Sequence, residues 1–293
     1  MKRFLLVGLS LLVLGSAMAQ KTVSYEGADE VVRLWDNSTA KYSNHETRDE
    51  IWRNSKKSSI QRSSSCELYI FKAAPEKNTG VAIAMYPGGG YTDLNLFVSL
   101  ARWYASQGIT AAVVKYRLPN FGHYKATIED AEGAVRYLRT RTDLGINPTK
   151  VGVGGSSAGG HLSSWVSNSM PDGEKPAFAI LLYPWIDLSK SASLAESKAL
   201  THLLGNDYTY QDVLNLSTHT MVTPTTPPTL LLLCHDDPVV LSTSSATYYE
   251  ALVRHGVKAS LHIFPYGGHS IKKNAKECQI AIIDWLKWLK MIE

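Results

Sequence analysis

Ser157 stands at the centre of Gly155-Ser156-Ser157-Ala158-Gly159, a G-x-S-x-G pattern between a stretch of strand character, Lys150–Gly154, and a helical run. Small residues on both sides let the chain make a tight strand-to-helix turn. Such a turn lifts the serine hydroxyl out of the sheet and points the following N–H groups at a reacting carbonyl. Two later loops supply the partners that a serine nucleophile needs. The run Thr229–Cys234 is followed by His235-Asp236-Asp237-Pro238-Val239-Val240, and Ala259–Phe264 by Pro265-Tyr266-Gly267-Gly268-His269. Acid after one late strand and histidine after the next gives the chain order Ser…Asp…His. Asp237 is preferred over its rival Asp236 because Pro238-Val239 turns the chain back toward the sheet behind it. The third element is Met85-Tyr86-Pro87-Gly88-Gly89-Gly90-Tyr91, whose glycines let backbone N–H groups face a developing oxyanion. Gly89, Gly90 and Ala158 are the expected donors. The chemistry implied is nucleophilic acyl transfer: Ser157 attacks, His269 takes the proton, and Asp237 orients the imidazole.

Other chemistries fit poorly. Gly152-x-Gly154-x-x puts Ser157 where a dinucleotide-binding turn needs glycine, and no G-K-[ST] follows for a P-loop. No H-E-x-x-H or Cys/His cluster suggests a metal, and no cofactor is expected. The remaining histidines lack the acid-plus-loop context of His269. Tyr91 and Trp185, with Tyr183-Pro184, lie beside the expected site and could stack against sugar or aryl rings.

Loops so placed need a sheet to carry them. Strand patterns fall at Glu67–Lys72 and Val81–Tyr86, expected as a hairpin, at Ile109–Tyr116, Lys150–Gly154 and Ala177–Tyr183, and at the two late runs named above. Between most of them lie helical stretches. Phe97–Gln107 is closed by Gly108. Thr127-Ile128-Glu129-Asp130 has the form of a capping box opening the next helix, and Asn274–Lys290 sets Cys278, Ile282, Trp285 and Leu289 on one stripe. Repeated β-then-α order predicts an α/β fold with a mostly parallel, doubly wound sheet. Residues 185–227 interrupt it as a short cap over the edge where such sheets bind ligands. Residues 66–293 form the expected single catalytic domain, and 20–65 an N-terminal arm. Within that arm Asn54–Ser65, with six serines, Lys56, Lys57 and Arg62, has the composition of a solvated segment.

The first residues have another purpose. Lys2 and Arg3, the apolar run Phe4–Leu14 and Ala17-Met18-Ala19 have the form of a secretory signal peptide over residues 1–19. The run is too short for a stable membrane anchor, and no second one follows; the expected location is periplasmic or secreted. The 293 residues carry 30 Lys and Arg against 26 Asp and Glu, a net charge of +4. Removing Lys2 and Arg3 leaves +2, which argues against nucleic acid or anionic membranes as partners. Three cysteines, Cys66, Cys234 and Cys278, exclude a disulfide scaffold and leave at least one thiol free; the latter two are expected in the core.

Taken together, these motifs resemble the α/β-hydrolase superfamily, on its hormone-sensitive-lipase-like branch. Pro87-Gly88-Gly89-Gly90-Tyr91, Lys115-Tyr116-Arg117-Leu118-Pro119, Glu129-Asp130-Ala131, Gly155 to Leu162, Asp237-Pro238-Val239 and Gly267-Gly268-His269 carry the likeness, across most of residues 80–290. Within the branch the chain is most similar to bacterial acetylxylan and feruloyl esterases. The resemblance implies an α/β-hydrolase fold and a serine carboxylic-ester hydrolase acting on a small ester or an esterified polysaccharide. Acetyl removal from xylan or a related glycan is the leading expectation. A feruloyl or short-chain carboxylesterase is the alternative, and a non-catalytic binding protein on the same fold the alternative of another class. Two departures lean away from lipases: Pro87 replaces the histidine of the usual H-G-G-G, and Ser156 the aspartate often found before the nucleophile. Peptidases of the prolyl-oligopeptidase type usually place tyrosine after the nucleophile, where this chain has Ala158.

Overall fold

In the computed structural model, residues 27–53, 58–190 and 193–293 are described. The leader expected at 1–19 lies outside them. Among these described residues, eleven strands and seven α-helices follow one another. In order, the strands are β1 (Glu30–Asp36), β2 (Ile51–Trp52), β3 (Ser59–Gln61), β4 (Ser65–Phe71), β5 (Ala82–Tyr86), β6 (Leu94–Asn95), β7 (Thr110–Lys115), β8 (Val151–Ser156), β9 (Ala179–Leu182), β10 (Thr229–Cys234) and β11 (Ala259–Phe264). The helices are α1 (Val98–Ser106), α2 (Tyr124–Thr140), α3 (Ala158–Ser169), α4 (Leu194–Leu204), α5 (Tyr210–Leu216), α6 (Ser242–Arg254) and α7 (Ala275–Trp288).

Eight strands make one sheet in the order β1-β4-β7-β5-β8-β9-β10-β11, parallel from β7 to β11 and antiparallel at β1 and β4. Every residue of β4, β5, β7, β8, β9 and β10 is buried. That is why these segments are nearly unbroken apolar runs rather than alternating ones. The low charged fraction of the chain, 19%, follows from the same burial. Parallel strands put their C-terminal ends at one edge, and the loops after β5, β8, β10 and β11 therefore converge there.

Several sequence expectations are corrected. β4 and β5 do not form a hairpin: β7 lies between them and pairs with both, antiparallel to β4 and parallel to β5. The helix expected to open at Thr127 begins at Tyr124, and Thr127 Oγ1 donates to the Arg117 carbonyl (2.7 Å) rather than capping. The serine-rich segment is not all solvated. Ile60, Ser63 and Ser65 are buried, and Ser65 Oγ accepts a hydrogen bond from the buried Lys115 ammonium at 2.9 Å. Residues 30–36, inside the segment expected as an arm, form the edge strand of the main sheet.

Between β9 and β10, where the alternation breaks, the described residues hold α4 and α5. Each opens with a capping box, Ser193 with Glu196 and Thr209 with Asp212, which stabilises such short helices locally. Cys66, Cys234 and Cys278 are free and buried. No helix among the described residues is long and apolar enough to cross a membrane.

Candidate active site

Ser157 follows the last residue of β8 and precedes the first of α3, with φ 55° and ψ −122°. A non-glycine residue in that region is strained, and its surroundings enforce it. A Cβ on Gly155 would lie 2.2 Å from the Gly159 carbonyl oxygen, and one on Gly159 would lie 1.9 Å from that of Tyr86. Only glycine lets β8, α3 and the end of β5 approach so closely.

His269 lies in the loop after β11. Its Nε2 is 2.8 Å from Ser157 Oγ and its Nδ1 is 2.7 Å from Asp237 Oδ2. An ionised carboxylate only accepts, so Nδ1 carries the proton and Nε2 is left to accept from the serine hydroxyl. Asp237 is buried, and its Oδ1 accepts the N–H groups of Val239 (2.8 Å) and Val240 (3.0 Å). Those two bonds fix the carboxylate's orientation through the turn that Pro238 begins. Asp236 points elsewhere: exposed, it accepts the Gly268 N–H at 2.7 Å, which lowers its pKa and braces the histidine loop. Of the two rival acids, Asp237 is the one that meets His269. Cys234 supports the same loop from beneath, its thiol donating to the Ser270 carbonyl (3.4 Å), with burial pushing its pKa up. The Tyr183 ring packs on the imidazole edge to face, centroids 4.7 Å apart.

The loop after β5 curls over Ser157. Gly89 (φ 132°) and Gly90 (φ 60°) take conformations suited to glycine. The Gly89 carbonyl accepts from Thr92 and Asp93 N–H, and the Gly88 carbonyl from Asn95 N–H, so these acceptors are used within the loop. The N–H groups of Gly89 and Gly90 have no protein acceptor among the described residues. Ala158 is the first residue of α3, and its N–H lacks an intrahelical partner. Gly89, Gly90, Ala158, Ser157 and His269 all line one cavity of about 770 Å³. The arrangement can therefore present a basic imidazole to a hydroxyl nucleophile and several N–H donors to an oxygen gaining charge.

Tyr91 does not take the place expected of it. With φ 57° its side chain turns inward, is buried, and its hydroxyl bonds His161 Nδ1 at 2.6 Å. His161 Nε2 in turn donates to the Leu216 carbonyl at 2.7 Å. Tyr91 is thus a brace for the glycine loop rather than a platform for a ligand, and it supplies support at a loop where Pro87 stands in place of histidine. Trp185 does line the cavity, but it is only 2% exposed and forms wall rather than open stacking surface. Sequence reasoning missed His161, although it lies one helical turn after Ser157 and so had to face the neighbouring loops. It also missed Leu96, Phe97, Ala199, Lys198 and Lys272, which are among the other lining residues. Among the described residues no group of three or more His, Cys, Asp or Glu side chains could hold a metal.

A sequence profile of the α/β-hydrolase fold matches residues 86–272, which span the glycine loop, Ser157, Asp237 and His269. The chain belongs to the α/β-hydrolase fold family. It is 36% identical over 204 residues to an acetylxylan esterase of Xylanibacter ruminicola, a match covering 67% of this chain and 42% of that relative. It is 30% identical over 203 residues to carboxylesterase NlhH of Mycobacterium tuberculosis, covering 61% of this chain and 62% of the relative. The α/β-hydrolase chain thus spans about half the length of these relatives. Among solved structures, the acetyl ester-xyloside bifunctional hydrolase of Caldicellulosiruptor lactoaceticus superposes with a TM-score of 0.71 at 32% identity, over 78% of this chain and 90% of that one. The expected resemblance to esterases of the hormone-sensitive-lipase-like branch is shown by these matches.

Proposed function

We propose that this α/β-hydrolase is a serine carboxylic-ester hydrolase that removes acetyl groups from xylan or a related polysaccharide through an acyl-enzyme on Ser157. The observation that carries the reading is the unbroken hydrogen-bonded line from Asp237 through His269 to Ser157 Oγ, beside glycine-loop N–H groups without protein acceptors. Ser157 Oγ attacks the ester carbonyl while His269 Nε2 takes its proton. Asp237 keeps Nδ1–H aligned and stabilises the imidazolium. The N–H groups of Gly89, Gly90 and Ala158 stabilise the oxyanion, each such donor contributing about 3 kcal/mol. Collapse expels the alcohol, which takes the proton from Nε2. Water then attacks the acyl-enzyme with the same base, which returns its proton to Ser157 Oγ as the acid leaves.

The substrate assignment is supported by the similarity to proteins named for acetylxylan and acetyl-xyloside hydrolysis, and by the open cavity. Export across the inner membrane is part of the proposal and rests on the leader-like sequence of residues 1–19. The test is Ser157→Ala assayed with nitrophenyl acetate. A loss of kcat of about 10⁴-fold or more is expected, with the wild-type serine alone labelled by a fluorophosphonate. Full activity of the variant would remove Ser157 from the mechanism, and an unlabelled wild type would favour a binding protein. Parallel assays with nitrophenyl butyrate, methyl ferulate and acetylated xylan decide the acyl group; acetyl esters are expected to lead.

A further inference from the structure

A second cavity, of about 290 Å³, adjoins the catalytic one, and Thr92 of the glycine loop lines both. Its size is at the lower end of small-ligand sites, which run from roughly 300 Å³ upward. One wall is the ring of Phe121, 48% exposed although large and apolar. His202 from α4 stacks against that ring, centroids 4.3 Å apart with 32° between planes, and its carbonyl accepts the Gly122 N–H at 3.2 Å. The ring is therefore held in place by the segment over the sheet edge while part of its surface stays open to the cavity.

Polar groups face the same space. Arg62 and Gln61 line it; neither side chain makes a hydrogen bond among the described residues, although Glu46, lowered in pKa chiefly by its hydrogen bond from Arg48, also feels the Arg62 charge. The nearby Glu46 is already held by Arg48 Nε and Nη2 at 2.8 and 2.6 Å, so Arg62 keeps its donors. Asn120, which also lines the cavity, donates Nδ2 to the Asn44 carbonyl at 2.9 Å, and its side-chain oxygen accepts no hydrogen bond among the described residues. Arg62 (φ 57°), Asn120 (φ 40°) and Phe121 (φ 61°) all adopt left-handed backbone. Strain gathered around one cavity is costly unless the surroundings hold it, and it is found disproportionately at ligand clamps.

An aromatic surface beside unspent donors and an acceptor matches a pyranose ring, which offers an apolar C–H face and hydroxyls around its rim. We infer that this cavity binds a further sugar unit of the glycan whose acetyl group lies at Ser157, with Phe121 under the ring and Arg62 and Gln61 on its hydroxyls. The inference rests on the proposed esterase reading for its second half only, since sugar binding can be measured without turnover.

Phe121→Ala and Arg62→Ala are each assayed in the full chain with acetylated xylotetraose and with nitrophenyl acetate. KM for the oligosaccharide is expected to rise about tenfold, with kcat/KM for nitrophenyl acetate within twofold of wild type and Phe121→Trp restoring the oligosaccharide KM. Unchanged oligosaccharide kinetics, or equal losses on both substrates, would overturn the subsite. Titration of unacetylated xylotetraose into Ser157→Ala, with and without Phe121→Ala, settles binding independently. Weaker binding with Phe121→Ala supports the subsite, and identical binding rejects it even in a fully active esterase. An inert wild type would refute the catalytic reading while this titration still decided the subsite.

Discussion

His161 is enclosed by α3, the glycine loop and the end of α5, and both ring nitrogens are engaged. A carbonyl can only accept, so Nε2 carries the proton to Leu216 and Nδ1 accepts from the Tyr91 hydroxyl. The imidazole is therefore needed neutral, and burial pushes its pKa down to about 4. A free histidine titrates near 6.5, so between these values the unfolded chain binds the proton more readily than the folded one. The contribution to stability is complete above about 6.5 and is lost as pH falls toward 4, to the extent of about 3 kcal/mol. Urea unfolding at pH 7.5 and 4.5 is expected to show a smaller acid loss for His161→Gln than for wild type; parallel losses would contradict it. Tyr91→Phe removes only the hydroxyl that ties the glycine loop to His161. It is expected to lower kcat on nitrophenyl acetate about tenfold, less than loss of a whole oxyanion donor, with KM little changed. A KM effect alone would instead place Tyr91 in substrate binding. That Ser157, Asp237 and His269 meet in space was legible because a Ser…Asp…His order on successive loops dictates residue type and place. Tyr91 was misplaced because its left-handed backbone, which turns the ring inward, leaves no mark in residue composition.

At the scale of elements, the end of β7 is tied to α2 by an ion pair wholly out of water. Arg117 donates from its backbone N–H (2.6 Å), Nε (3.1 Å) and Nη2 (2.7 Å) to Asp130, and from Nη2 to Glu129 at 3.0 Å. Trp35 of β1 donates its indole N–H to the same aspartate. Removing one partner of such a pair strands the other charge in the interior, so Asp130→Ala is expected to cost about 3–5 kcal/mol in urea unfolding. Replacing both, as Arg117→Met with Asp130→Leu, is expected to recover much of the loss. A double variant as unstable as the single one would show that the hydrogen bonds to backbone, not the charges, matter most. This junction also explains where element assignment from sequence failed. Thr127 has the form of a cap, but its hydroxyl serves the Arg117 carbonyl inside a helix already three residues old. The β4–β5 hairpin failed for a related reason: the strand that separates them arrives only after α1, and short-range pattern carries no information about that insertion. Strands β10 and β11, by contrast, were legible to the residue, since each is a short β-rich run bounded by turn residues.

For the whole molecule, the segment with least pattern turns out to close the sheet. β1 pairs along β4, whose seven residues are all buried, and covers an edge that would otherwise template association between chains. The bulge between Arg33 and Trp35 sets the indole over Gly133 of α2, where a Cβ would come within 2.2 Å of the ring. Beyond the strand, Asn44 Nδ2 donates to the carbonyls of Ser63 and Leu118, both at 2.8 Å, and Glu129 accepts the N–H groups of Lys41 and Tyr42. Glu50 pairs with the buried Lys115 at 2.6 Å. None of these contacts is visible as periodicity, because each joins an irregular stretch to a distant strand or helix through side chains and single carbonyls. Their loss together would leave β4, now buried along its length, as an unpaired edge, and would leave Lys115 and Arg117 buried with fewer partners. A chain beginning at Cys66, the boundary suggested by pattern alone, is therefore expected to aggregate and to show no cooperative thermal transition. A chain beginning at Gly27 is expected to unfold in one transition and to hydrolyse nitrophenyl acetate. Circular dichroism melts and light scattering on the two chains distinguish these outcomes. A cooperative transition in the chain from Cys66 would show that β4 and the two buried cations tolerate the loss of β1 and its neighbours.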